Sequence, residues 1–133
     1  MSAKTMLPAI VMALALTLFS ASASAQERWA AIAANHEDSA TVVWATTKDQ
    51  AKKLAVLACK QVSSTCTETP ASTNGMDNVF AVMCCTEPKK GCAAAVGASR
   101  SAALKEVKEL FSDEGFSKCT LKSYFKAGNG EKG

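Results

Sequence analysis

The sequence predicts an α+β protein: two tandem strand-strand-helix-strand repeats that form a two-layer sandwich stapled by disulfides. Three observations favour this fold: an export-type leader, six cysteines in 133 residues, and an order of strand and helix signals that occurs twice. The length suits a single domain. A formal charge of +3 is too small for a nucleic-acid-binding face. The 48% of hydrophobic residues and 20% of charged residues argue against a disordered chain.

The first segment has the layout of a signal peptide. Lys4 precedes an apolar stretch from Met6 to Phe19, and small residues follow up to Ala25. This pattern predicts cleavage after Ala25. The apolar run is short for about 30 Å of hydrocarbon, so a transmembrane anchor is the less favoured interpretation. We therefore expect a secreted or periplasmic protein with no membrane span after cleavage, whose mature part, 26–133, is one disulfide-rich domain.

The first repeat, about 28–71, combines strand, turn and helix signals. Thr47 and Gln50 form a capping box that predicts the start of a helix. Apolar residues then recur at helical spacing and predict a buried stripe. In order, we expect a strand at 29–34, a polar turn at 35–39, a strand at 40–45, a helix with the stripe Ala51, Leu54, Ala55, Ala58 and Val62, and a short strand from Cys66 to Pro70.

The second repeat, about 78–126, follows the same order. Pro88 and Gly91 mark its turn, Ser99 or Ser101 caps its helix, and Gly115 ends that helix in a left-handed conformation. Aligning Leu54 with Leu104 gives a repeat offset of 50 residues. We expect strands at 79–85, 92–96 and 119–125, a helix with the apolar positions Ala103, Leu104, Val107, Leu110 and Phe111, and a frayed tail at 128–133.

Joining the two repeats in one layer, with both helices on one face, would bury both helical stripes. Each repeat alone has a three-stranded sheet too small to be stable. The alternative is one irregular domain in which the repeated order is accidental.

The chain resembles the domain of unknown function 4189 family, which comprises small secreted bacterial proteins. The features that carry the resemblance are the segment from Trp29 to Ala33, an alanine-rich helix that ends near Cys59, Cys66 shortly after it, and a second unit of the same kind. The likeness covers nearly the whole mature chain, to which this sequence adds Cys84, Cys85 and Cys92. It implies a fold and an extracytoplasmic compartment, and it implies no activity.

The six cysteines read as a disulfide framework because the count is even and the chain is small and exported. Cys59 and Cys66 lie seven residues apart across a helix end, which suits a disulfide. Six thiols allow fifteen complete pairings. From the hairpin and the alternation of strand side chains we predict the pairs 59–66, 85–92 and 84–119, and the closest rival exchanges Cys84 and Cys85.

Signals for catalysis, cofactors and metals are weak in this sequence. His36 is the single histidine, and no Gly-x-Ser-x-Gly motif accompanies it. There is no Cys-x-x-Cys motif for redox chemistry or zinc binding. We therefore expect no catalytic residue, no cofactor and no metal site.

The function that remains is binding of another envelope or secreted protein, as an inhibitor or an immunity-type protein. The candidate contact residues lie in the two hairpin turns: Glu87, Lys89 and Lys90 in the second, and His36 in the first. A turn clamped by a flanking disulfide loses little entropy on binding. The alternative from another class is a small envelope hydrolase or thiol redox factor that uses His36 or a free thiol.

Overall fold

A computed structural model describes residues 28–133 of the chain, so the predicted signal peptide, 1–25, lies outside the described residues. The elements follow the repeated order strand, strand, helix, strand. They are β1 (Trp29–Ile32), β2 (Val43–Ala45), α1 (Lys48–Val62), β3 (Ala71–Thr73), β4 (Val79–Glu87), β5 (Gly91–Gly97), α2 (Arg100–Asp113) and β6 (Ser117–Lys126). The predicted α+β class and the tandem order are confirmed.

The two repeats have the same strand topology. Each forms a three-stranded antiparallel sheet whose first strand is central, in the order β2-β1-β3 and β5-β4-β6. The registers also correspond: Trp29 pairs with Ala45 in the first sheet, and Val79 pairs with Gly97 in the second. A strand-strand-helix-strand unit of one topology therefore occurs twice.

The helices correspond at an offset of 52 residues rather than the predicted 50. The N-caps are Thr47 and Ser99, and each side chain accepts a hydrogen bond from the backbone N–H three residues on. The buried positions of α1 therefore match those of α2 in order, Ala51, Ala55 and Cys59 with Ala103, Val107 and Phe111.

The two sheets are the layers of the sandwich and pack face to face. Alternate residues of β1 and β4 point between the sheets, among them Ile32, Phe80 and Val82. The intervening residues point outward, where Ala31 contacts the α1 side and Met83 the α2 side. The helices therefore cover opposite outer faces, and the expectation that both lie on one face of a joined sheet is wrong. Two-sided burial explains why β1 and β4 are apolar throughout instead of alternating.

The helical stripe of α1 is narrower than predicted. The expectation that Leu54 and Val62 are buried is wrong, since Leu54 is 44% and Val62 57% exposed. From α1, only Ala51, Ala55 and Cys59 are buried against the sheet, because the helix lies close against the alanines of β1. Leu110 of α2 is likewise exposed.

The third strand and the C-terminus also differ from expectation. The third strand is β3, and the predicted 66–70 segment is a loop that follows the disulfide at Cys66. The tail does not fray, because Tyr124 and Gly133 exchange two backbone hydrogen bonds of 3.1 Å and 2.9 Å and Lys126 N–H donates to Glu131. Gly115 has a φ of 77°, which confirms the predicted left-handed end of α2.

Replacing Gly97 with alanine should destabilise the fold. An added Cβ would lie 2.4 Å from the backbone nitrogen of Ala103, so β5 and the start of α2 would have to separate. We expect Gly97→Ala to lower the free energy of unfolding by about 2 kcal/mol, as overpacked sites do. Urea denaturation followed by circular dichroism measures it.

Gly91→Ala is the matched control, since it lies in the same strand and its Cβ would meet only the ring edge of Phe116, at 3.1 Å. That ring can shift, so the loss should be clearly smaller. Equal losses for the two variants would contradict the close approach of β5 and α2.

Candidate functional site

Three disulfides lie in the described part of the chain. Cys59–Cys66 is confirmed, with a Cα–Cα distance of 5.9 Å. The other pairs are Cys84–Cys92 and Cys85–Cys119, so the predicted 85–92 and 84–119 pairs are wrong and the rival pairing is right. All six cysteines are paired.

The hairpin register explains the corrected pairing. Cys84 lies opposite Cys92, whereas Cys85 lies opposite Gly91 on one side and Cys119 on the other. The predicted pair would place Cys85 opposite Cys92, so the register of the hairpin differs from the prediction by one residue. A shift of one residue exchanges the sheet faces of two neighbouring side chains, which is why the partners of Cys84 and Cys85 are exchanged.

Asn35 holds the first turn together and contacts two of the disulfides. It is 1% exposed, and its Oδ1 accepts hydrogen bonds from Glu37 N–H at 3.0 Å and from Ser39 N–H at 3.2 Å. Its Nδ2 lies 3.5 Å from the Cys59 sulfur, and its carbonyl oxygen lies 3.5 Å from the Cys84 sulfur. Sequence analysis identified this segment only as a polar turn. The signal that was available is an asparagine that directly follows an apolar strand, a residue whose side chain often bonds the backbone two residues on.

His36 is fixed between the two halves of the molecule. Its backbone N–H donates to Thr65 Oγ1 at 3.2 Å. A ring nitrogen of His36 and the sulfurs of Cys84 and Cys92 lie within 4.8 Å of one another, and the histidine is half-buried. The two sulfurs are bonded to each other, so in this state they present no thiolate to a metal ion.

The predicted contact residues His36 and Lys90 meet in one groove. The groove has a volume of about 360 Å³ and runs between the first turn, the loop after α1 and the second turn. Its walls are formed by His36, Thr65, Cys66, Thr67, Lys90, Gly91 and Cys92. The disulfides 59–66 and 84–92 each contribute one cysteine to these walls. We refer to this region, together with the second turn at 86–90, as the disulfide end.

The charged residues of the disulfide end fall into two groups. Glu87 is the last residue of β4 and forms an exposed ion pair with Lys118 at 2.8 Å. Asp38 of the first turn lies 3.7 Å from Lys122 of β6. Lys89 and Lys90 are exposed and have no ion-pair partner among residues 28–133. The free positive charge therefore sits on the second turn beside the groove, whereas the predicted contact residue Glu87 already has a partner.

No family model, curated protein or solved structure matches this chain at a significant level. The resemblance to the domain of unknown function 4189 family stays a prediction. Three disulfides fit a protein of an oxidising compartment, extracellular or periplasmic. Within residues 28–133, neither helix has the length and apolar character to cross a bilayer.

Asn35→Ala should destabilise the protein by about 2 kcal/mol. The substitution removes a buried side chain whose Oδ1 accepts from the Glu37 and Ser39 N–H groups, and loss of a buried hydrogen-bonding partner costs this much. Thermal and urea unfolding with the disulfides intact measure the loss.

Asn129→Ala is the matched control for Asn35→Ala. Asn129 Oδ1 also accepts from a backbone N–H two residues on, that of Glu131 at 2.8 Å, but the side chain is exposed and water can replace it. A loss at Asn129 as large as that at Asn35 would contradict the role assigned to burial.

Proposed function

We propose that this protein is a non-catalytic binding module of the extracellular space or periplasm, and that it recognises another protein through its disulfide end. The observation that carries the proposal is the convergence of two turns from different repeats on one groove, where His36 meets Lys90. His36 and Lys90 lie 54 residues apart in the sequence, and both line this groove.

Rigidity supports a binding role for this end. The second turn projects from a hairpin whose base is held by Cys84–Cys92, and Cys85–Cys119 ties the same strand to β6. Residues 86–90 are all exposed, although the strands below them are buried. A loop fixed in advance loses little conformational entropy when it binds, so more of its contact energy appears as affinity.

The charge of this end indicates the kind of partner. Lys89 and Lys90 project without an acidic partner, and Glu87 is already neutralised by Lys118. An acidic patch or cleft on a partner would complement them, and such complementarity raises association rate and specificity. A rigid basic turn that enters an acidic cleft would block that cleft, so we propose an inhibitor as the more specific role of the protein.

A thiol redox factor is the second candidate, and one observation favours it: the His36 ring lies within 4.8 Å of both sulfurs of Cys84–Cys92. It would require that disulfide to exchange with a substrate thiol during turnover. Full insulin-reduction activity that is lost in His36→Ala would favour it over the binding module.

The charge-reversed variant Lys89→Glu/Lys90→Glu tests the binding module. Wild-type protein immobilised through its C-terminus is expected to retain an envelope or secreted partner in a stoichiometric complex. We expect the double reversal to weaken that complex by about tenfold or more, because two attractive contacts become repulsive. The dissociation constant of the retained partner, measured by interferometry with each variant, gives the result.

Lys105→Glu/Lys108→Glu makes the same change in net charge on the outer face of α2, away from the disulfide end. It should bind the partner as the wild type does. If both variants weakened binding equally, the effect would come from overall charge and not from the second turn. If no stoichiometric partner were retained, the binding module would be rejected.

A further inference from the structure

The outer face of α1 differs from that of α2 at equivalent positions. At the offset of 52 that relates the caps Thr47 and Ser99, Leu54 and Leu57 of α1 correspond to Glu106 and Glu109 of α2. The glutamates are exposed. These positions therefore face water in both repeats, and only the first repeat fills them with apolar side chains.

Two leucines of α1 are exposed. Leu54 is 44% and Leu57 58% exposed, so neither is used in the core. Val62 is exposed as well, but it lies on the same side of the helix as Ala51 and Ala55 and is not part of the outer face. The opposite side of the helix is fixed to the first sheet through Ala51, Ala55 and Cys59. Beside Leu57, a shallow groove of about 470 Å³ continues the apolar surface across Val56 to Pro70. A helix already packed on its inner side thus presents a second apolar surface outward.

Two lysines lie beside this outer surface. Lys53 precedes Leu57 by one helical turn and Lys60 follows it by three residues, so both flank it on the helix surface. The helix carries four lysines and one acid, Asp49, whereas α2 carries three basic and three acidic residues. Glu68 is the acidic residue that lines the adjoining groove. Within residues 28–133 the lysines of α1 take part in no ion pair.

We propose that the outer face of α1 binds peripherally to the surface of an anionic phospholipid bilayer. Leu54 and Leu57 would enter the boundary between headgroups and acyl chains, while Lys53 and Lys60 contact the lipid phosphates. Helices that lie on membranes combine leucine with lysine in this way. Each lysine close to an anionic surface contributes about 1 kcal/mol, or about fivefold in affinity.

The residue types favour a lipid surface over a protein. The residues that dominate protein interfaces are enriched in tyrosine and tryptophan, and leucine is under-represented among them. Helix α1 contains neither tyrosine nor tryptophan, and the exposed apolar residues of its outer face are leucines. The side chains also project from a convex helix, which suits a deformable surface better than a rigid cleft. This binding is independent of the disulfide end.

Vesicle sedimentation tests the proposal with the protein as the cell exports it. Mass spectrometry of the intact protein records which chain is used. The probes are vesicles of phosphatidylcholine alone and of phosphatidylcholine with phosphatidylglycerol. Wild-type protein is expected to bind the anionic vesicles, and to bind the neutral ones at least about 25-fold more weakly. Raising the salt concentration should release it.

Two variants make α1 resemble α2 or remove its charge. Leu54→Glu/Leu57→Glu installs the residues that α2 carries at equivalent positions, so it should fold normally and lose vesicle binding. Lys53→Gln/Lys60→Gln should weaken binding to anionic vesicles by about 25-fold. The reciprocal variant Glu106→Leu/Glu109→Leu gives α2 the apolar pattern of α1 and should strengthen binding.

Several outcomes would overturn the lipid-binding proposal. These are failure of the wild type to bind anionic vesicles, equal binding to neutral vesicles, and unchanged binding by Leu54→Glu/Leu57→Glu with unfolding transitions like those of the wild type. If Leu54→Glu/Leu57→Glu stopped binding the protein partner but still bound vesicles, the surface would be assigned to a protein, and this result would also reject the proposal. Lys89→Glu/Lys90→Glu should leave vesicle binding unchanged, which separates this test from that of the disulfide end.

Discussion

Close contact between alanine-rich surfaces is the constraint on which the rest of the structure depends. Four alanines of the first strand and its continuation, Ala30, Ala31, Ala33 and Ala34, are at most 2% exposed and fill both faces of the first sheet. Alanine lets a sheet and a helix approach closely but removes little apolar surface from water. A domain of this size has little core to spare. The disulfides, each able to contribute about 2–4 kcal/mol, therefore supply stability that side-chain burial does not.

The two repeats stabilise equivalent helix ends and hairpins with different side chains. At the end of α1, Cys59 is linked to Cys66, whereas the equivalent Phe111 of α2 packs edge-on against Phe116 with ring centroids 5.3 Å apart. The first hairpin is held by hydrogen bonds to Asn35. The longer second hairpin carries two disulfides instead, and so it can project exposed lysines without losing its shape.

The sequence was sufficient for the order of elements and for the caps, because these depend on local signals. The N-cap Thr47, the left-handed Gly115 and the Cys59–Cys66 link each involve residues close together in the chain. The pairing of Cys84 and Cys85 was not predictable from spacing, because it changes with a single residue in the turn.

Tertiary packing decided the remaining features. Periodicity alone assigned Leu54 to the core, but helical spacing does not distinguish a stripe against a sheet from an apolar surface beside it. The groove between His36 and Lys90 likewise depends on how two repeats pack, so only its separate residues could be named in advance. The offset of 52 residues between the helices follows from the positions of the two N-caps, Thr47 and Ser99.

The outer face of α1 and the disulfide end meet at the C-terminal end of α1. Cys59 in the last turns of that helix is bonded to Cys66, which lines the groove of the disulfide end. A helix that rests on a membrane through its outer face would therefore hold the groove at a fixed orientation to that surface, because the disulfide permits little independent motion. The outer residues of α1 can differ from those of the charge-balanced α2 because they take no part in the core.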